Sequence, residues 1–182
     1  MDIESFLKDL PPAEGGPKYS LKSVDSLEED VRQALLKLIE RSSKSSGQLR
    51  TLLLEKEFPV QLVDQMIDRF IEVGLIDDLS LAKDFTEVAV SRKSKAKSVI
   101  ARELRAKNFP QEAIDAAISE IDTESELEAA KKLAESRFRQ LLKLEPEVRT
   151  RRLSSYLMRK GYTSSVVSVS YTHLTLPTKR IV

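Results

Sequence analysis

One pattern occurs three times in this chain: a basic and apolar helical run, an aromatic residue, then a second apolar run. The aromatics are Phe58, Phe109 and Tyr162, 51 and 53 residues apart. Nine positions before each stands an aliphatic (Leu49, Ile100, Leu153), five before a leucine (Leu53, Leu104, Leu157), two before a lysine (Lys56, Lys107, Lys160). Five positions after each stands another aliphatic (Val63, Ile114, Val167). A period near 50 residues means a repeat architecture, in which neighbouring units stack to bury apolar faces that one unit leaves exposed.

The 182 residues therefore read as a short array of small modules, each marginal on its own. Aromatics make up 5% of the chain and Trp is absent, while Leu, Ile, Val and Ala dominate, which suits aliphatic helix-helix cores. There is no Cys, which excludes disulfide frameworks, thiolate metal sites and thiol catalysis and fits a reducing compartment. No run approaches the roughly 18 apolar residues of a membrane span, and Met1-Asp2-Ile3-Glu4 is acidic where a secretory leader is basic. These features predict a soluble cytoplasmic protein.

Punctuation divides the chain. Five helix breakers within Pro11 to Pro17 make residues 1–25 a flexible lead. The first repeat, 26–76, opens on Ser26-Leu27-Glu28-Glu29, a capping-box pattern. Its helices are expected over about 26–41, 46–57 and 59–74, with Pro59 in the first turn of the third. At the junction Gly74-Leu75-Ile76-Asp77-Asp78, the glycine suits a left-handed helix end, Leu75 and Ile76 are expected to bury together, and an aspartate caps the next helix. The second repeat, 77–121, has helices over about 78–92, with Leu81, Ala82, Phe85 and Val88 inward, then 98–107 and 110–121. The third, 122–168, has helices over about 127–144, with Leu142 among its inward residues, and 148–160, then breaks off incomplete. From Ser170 onward the Thr-rich sequence shows no helical period, so 169–182 reads as an atypical, non-native tail. The expected fold is all-α: three tandem three-helix, helix-turn-helix-like repeats in an elongated, slightly curved array.

The only histidine, His173, lies in that tail. With no Cys and no usable His, the commonest metal ligands and the commonest general base are missing. Asp77-Asp78 reads as a cap rather than a metal pair, and none of the five glycines builds a phosphate loop. No catalytic residue, metal site or cofactor is expected, and the recurrent aromatics read as core rather than as base-stacking platforms.

Net charge is only +1, but it is unevenly placed. Seven basic residues face one acidic residue between Arg92 and Lys107, and five face one between Glu147 and Lys160. Both runs fall at the middle helix of a repeat, where folding gathers them. Arg92, Lys93, Lys95, Lys97, Arg102 and Arg105, with Arg149, Arg151 and Arg152, are the expected anionic contact surface. Helical spacing sets Arg102 and Arg105 on one side, while Val99, Ile100 and Leu104 turn inward.

Three tandem three-helix units, the junction 74–78 followed by Leu81-Ala82-Lys83-Asp84-Phe85, the basic loop before Ile100-Ala101-Arg102-Glu103-Leu104-Arg105-Ala106-Lys107, and Leu157-Met158-Arg159-Lys160-Gly161-Tyr162 together resemble the RecX regulatory proteins of bacteria, over about residues 27–167. The resemblance implies a modulator, typically an inhibitor, of the RecA recombinase. Such a protein lies in the groove of the RecA filament on single-stranded DNA and suppresses strand exchange and ATP hydrolysis. The implied setting is homologous recombination, DNA repair and the SOS response, and the implied partners are the RecA filament and single-stranded DNA, with weak duplex binding and no membrane, the protein acting as a monomer. The chain departs from the family pattern at Ala96-Lys97, where a Gly-Pro loop is common, and in its C-terminal helix. The other readings left open by the residues are a helix-turn-helix-like DNA-binding regulator and a structural helical adaptor.

Overall fold

The computed structural model describes residues 24–175, all of whose regular structure is helical. In chain order the helices are α1 (Val24–Arg41), α2 (Ser46–Leu54), α3 (Val60–Glu72), α4 (Asp78–Ser91), α5 (Lys97–Ala106), α6 (Gln111–Ser119), α7 (Thr123–Leu141), α8 (Pro146–Arg159) and α9 (Ser164–Thr175). They group as three-helix repeats, α1–α3, α4–α6 and α7–α9. Residues 1–23 of the expected flexible lead and residues 176–182 of the expected tail lie outside the described residues, while Val24 and Asp25, placed in that lead, belong to α1.

The recurrent register has one local cause. In each repeat the residue before the aromatic adopts a left-handed backbone: Glu57 at φ 65°, Asn108 at 54° and Gly161 at 92°. In the second and third repeats the aromatic's amide donates back to the leucine five positions earlier (Phe109 N to Leu104 O, 3.2 Å; Tyr162 N to Leu157 O, 3.2 Å). The left-handed residue donates to the carbonyl three before it, from Glu57 to Leu54, Asn108 to Arg105 and Gly161 to Met158, each at 2.9 Å. This is a Schellman ending, which pairs helix-terminal carbonyls and brings the residue beyond the helix against its last turn. Leucine and aromatic are accordingly buried together in all three copies. The recurrent lysine follows the last helical residue by one or two positions, near the negative end of the helix dipole. Leu53, Leu104 and Leu157 are wholly buried, each worth about 1.5–3 kcal/mol.

Two compact units result. The first runs to Asp77; its core joins Val31 and Leu35 of α1, Leu49 and Leu53 of α2, and Leu62, Val63, Met66, Ile67 and Phe70 of α3. Ser45 caps α2 in a full capping box with Gln48, a pairing the sequence reading did not single out. Arg50 and Asp64 join α2 to α3 through an ion pair at 2.6 Å. At its end Gly74 takes φ 74° and the amides of Leu75 and Ile76 both donate to Phe70 O. Of the expected buried pair, Ile76 enters this core and Leu75 stays exposed.

The second unit, from Asp78, holds repeats two and three. In α4 the inward positions are Ala82, Thr86 and Ala89, with Leu81, Phe85 and Val90 partly buried; Val88, expected inward, is exposed because burial follows the 82–86–89 stripe. In α7, Ala129, Ala130, Ala134 and Leu141 are buried and Leu142 is exposed, since the helix ends at Leu141 and the next residue turns outward.

Three further expectations are corrected. Ser26 lies inside α1, whose described residues begin at Val24, so it is not the cap. The second helix stops at Leu54 rather than Glu57, because the left-handed Glu57 turns the chain. The helical run of the third repeat continues through Thr175 as α9, past the point where the periodicity fades. Val166, Val167 and Ser170 are buried there, the Ser170 hydroxyl donates to Val166 O at 2.7 Å, and Tyr171 meets the Thr150 side chain through its hydroxyl. A serine that bonds its own helix backbone can occupy a core position, which an apolar-only pattern does not register.

Candidate functional site

The basic loop of repeat two meets the helix-ending turn of repeat three. The loop 92–96 leaves α4 and turns through Ser94 at φ 45°, with Lys95 N donating to Ala89 O at 3.1 Å. Ala96, the one apolar residue between Arg92 and Ser98, is wholly buried, and it belongs to the core of the third repeat with Leu153, Leu157 and Tyr162. The Tyr162 hydroxyl donates to Ser94 O at 2.7 Å and the Ser98 hydroxyl donates to Gly161 O at 2.8 Å. A Cβ on Gly161 would stand 2.5 Å from Ser98 Oγ and 2.7 Å from Val99 Cγ2. Glycine is therefore required twice at this position, by its left-handed backbone and by the close approach of α5. The basic loop is thereby fixed against the Gly161–Tyr162 turn, which Arg159 and Lys160 precede in the chain.

Within this frame the nine expected surface residues are not equivalent. Arg92, Lys93 and Arg102 are exposed, as is Arg105, whose Nε donates to Gln111 Oε1 at 3.4 Å. Lys95 is half-buried and paired with Glu103 at 2.5 Å. Lys97 is half-buried near Asp122, the N-cap of α7. The Asp122 carboxyl is held below its ordinary value, mainly by the hydrogen bond it accepts from the Ser125 amide, with the Lys97 charge contributing less. Arg149 is turned inward: its Nη2 donates to Leu144 O at 2.9 Å and Leu142 O at 3.3 Å, and its guanidinium lies 5.2 Å from the Phe138 ring centre. It closes the C-terminus of α7. Arg151 and Arg152 are exposed on α8. Of the residues expected inward, Ile100 and Leu104 are buried and Val99 is half-buried against the Gly161 turn.

Two features escaped the sequence reading. The tie between the loop and the turn spans 63 and 68 residues of chain, beyond any local pattern. Its traces were a glycine at 161 where the other repeats carry Glu57 and Asn108, and an alanine isolated among basic residues. Arg137 of α7 also stands beside the arginines of α8. Among the described residues no helix is long and apolar enough to cross a membrane.

Residues 124–168, which form most of the third repeat, match the family model described as RecX, third three-helix domain. The regulatory protein RecX of Streptomyces coelicolor is 33% identical over 162 residues, covering 86% of each chain. That of Mycobacterium ulcerans is 32% identical over 145 residues, 79% of this chain and 84% of the relative. The crystal structure of RecX from Lactobacillus salivarius superposes with a TM-score of 0.79 at 15% identity, over 83% of this chain and 98% of that one. With a third of its residues shared across nearly the whole length of such relatives, and with the three-helix repeats they carry, this chain belongs to the RecX family of regulatory proteins.

Proposed function

We propose that this chain is a non-enzymatic regulator that binds the RecA filament on single-stranded DNA and inhibits its ATP hydrolysis and strand exchange. The observation that carries the reading is the bonding of Ser94 and Ser98 to the Tyr162 and Gly161 turn, which holds the basic segments of repeats two and three in one compact unit. Such an array suits a polyanionic partner that itself repeats. Each module binds weakly, and fixing one contact raises the effective concentration of the next. Arg92, Lys93, Arg102, Arg105, Arg151 and Arg152 form the anionic contact surface, because among the described residues no carboxylate pairs with them. Lys95, Lys97 and Arg149 shape and support it. Family membership supports a regulatory role, and the filament as target is our inference.

The deciding experiment is RecA-catalysed ATP hydrolysis on single-stranded DNA with and without the protein. The expected result is a rate that falls as protein is added; an unchanged rate at saturating protein rules the reading out. Reversing Arg102 and Arg105 to Glu should weaken binding and flatten its salt dependence, since each neutralised phosphate adds about 0.7 to the slope on single strands.

A further inference from the structure

A recess of about 360 Å³ on the third repeat is lined by Arg137 of α7 and by Arg151, Arg152, Ser155 and Arg159 of α8. Residues 152, 155 and 159 follow helical spacing, and Arg151 stands four before Ser155, so α8 presents one continuous basic face to Arg137. The lining holds four guanidinium groups and no carboxylate, and none of the four is in an ion pair among the described residues. Arg137 is held in place: its guanidinium lies 5.2 Å from the Tyr156 ring centre, and its Nη1 donates to Gln140 Oε1 at 2.5 Å. Its Nε is buried and has no hydrogen-bond partner among the described residues. Lys160 approaches the same Tyr156 ring at 5.7 Å, adding a fifth positive charge nearby.

Four like charges around one recess repel one another, and among the described residues no carboxylate pairs with them. Guanidinium forks match the paired oxygens of phosphate groups. Four charges exceed what one singly charged phosphodiester balances, and the helical rise from Arg152 to Arg159 is roughly 10 Å, room for two phosphates in series. The lining contains neither an aromatic nor an aliphatic side chain that would grip a nucleobase. From these observations we infer that the recess is a phosphate cradle that holds two consecutive phosphates of a nucleic-acid strand, independently of base sequence. The inference rests on the proposed nucleic-acid contact and gives it a place; it adds Arg137, Arg159 and the Ser155 hydroxyl to that surface.

The test is binding of a fluorescent oligothymidine to the full chain across a salt series, with Arg152→Gln plus Arg159→Gln as the principal variant. Both residues are exposed, so the fold should tolerate the change, and an unchanged circular dichroism melt checks this. Binding should weaken at least about threefold at low salt, and the log–log salt slope should become shallower by about 1.4 for two lost phosphate contacts. Arg137→Lys, which keeps the charge and loses the fork, should weaken binding without changing the slope. Wild-type strength and slope in the double variant would overturn the cradle, even if the protein still inhibits RecA. Loss of binding in a protein that leaves RecA unaffected would uphold the cradle and reject the filament reading. Pyrophosphate or ATP binding that is lost in the variant, with the oligonucleotide unaffected, would assign the site to free polyphosphate and overturn the strand.

Discussion

The turn ahead of the aromatic is built alike in the first and third repeats and put to different uses. In the first, Glu57 takes the left-handed position and its side chain is exposed, so the turn only ends α2 and brings Phe58 into the core. In the third, Gly161 takes that position with α5 of the neighbouring repeat pressed against it. The same helix ending has become a docking surface. The comparison teaches that a repeat's local signature and its interface are separable: hydrogen bonds to the last turn define the first, and the one residue that meets the neighbour defines the second.

The sharpest way to break this comparison is to hollow the cores. Leu53→Ala and Leu157→Ala should each cost about 2–5 kcal/mol in chemical denaturation, but only the second should also accelerate amide exchange at Lys95, because Ala96 packs in the same core as Leu157. Equal exchange in the two variants would mean that the loop is held by repeat two alone.

Next in size is Gly161→Ala, expected to lose about 2–5 kcal/mol, combining left-handed strain of about 1–2 with overpacking of about 1–3. Gly74 is its control. It is also left-handed, but a Cβ there meets nothing within 4 Å, so Gly74→Ala should show the strain alone. Matching losses would show that the contact with Ser98 and Val99 contributes nothing.

Tyr162→Phe should cost about 1 kcal/mol through the lost bond to Ser94 O. It should also remove a pH dependence. Burial, and to a lesser degree the nearby Glu126 charge, raises the pKa of the Tyr162 hydroxyl in the folded state. Unfolded tyrosine ionises near about pH 10, so stability should hold below that value. It should fall as pH climbs past it, because the unfolded chain releases a proton that the folded chain retains. A variant with the wild-type alkaline slope would place the titrating group elsewhere.

The smallest effects should be gains. Glu57→Gly and Asn108→Gly each remove a side chain from a left-handed residue and should add up to about 1 kcal/mol, read as a small rise in melting temperature. If Asn108→Gly also changed oligonucleotide binding, the second turn would be part of an interface too.

Most of the fold was legible in the sequence because it rests on short-range rules. The 3.6-residue period placed the helices, and the leucine, lysine and aromatic register marked three helix ends. Those positions are buried as expected: Leu49, Ile100 and Leu153, Leu53, Leu104 and Leu157, and Val63, Ile114 and Val167. The continuation of α9 through Thr175 was less legible, since serine and threonine satisfy themselves against the helix and hide the apolar period.

The candidate site divides in the same way. The sequence by itself determined that basic residues accumulate at the middle helices of repeats two and three, because charge is a property of each residue wherever it stands. Only the tertiary structure decided which of those charges are available. Lys95 meets Glu103, Lys97 lies near Asp122, Arg149 turns back to the carbonyls at the end of α7, and Arg137 arrives from another helix to complete a recess. A side chain's partners depend on which segments packing brings within about 3–4 Å, and residues 63 and 68 positions apart meet here because two apolar cores had to be closed together.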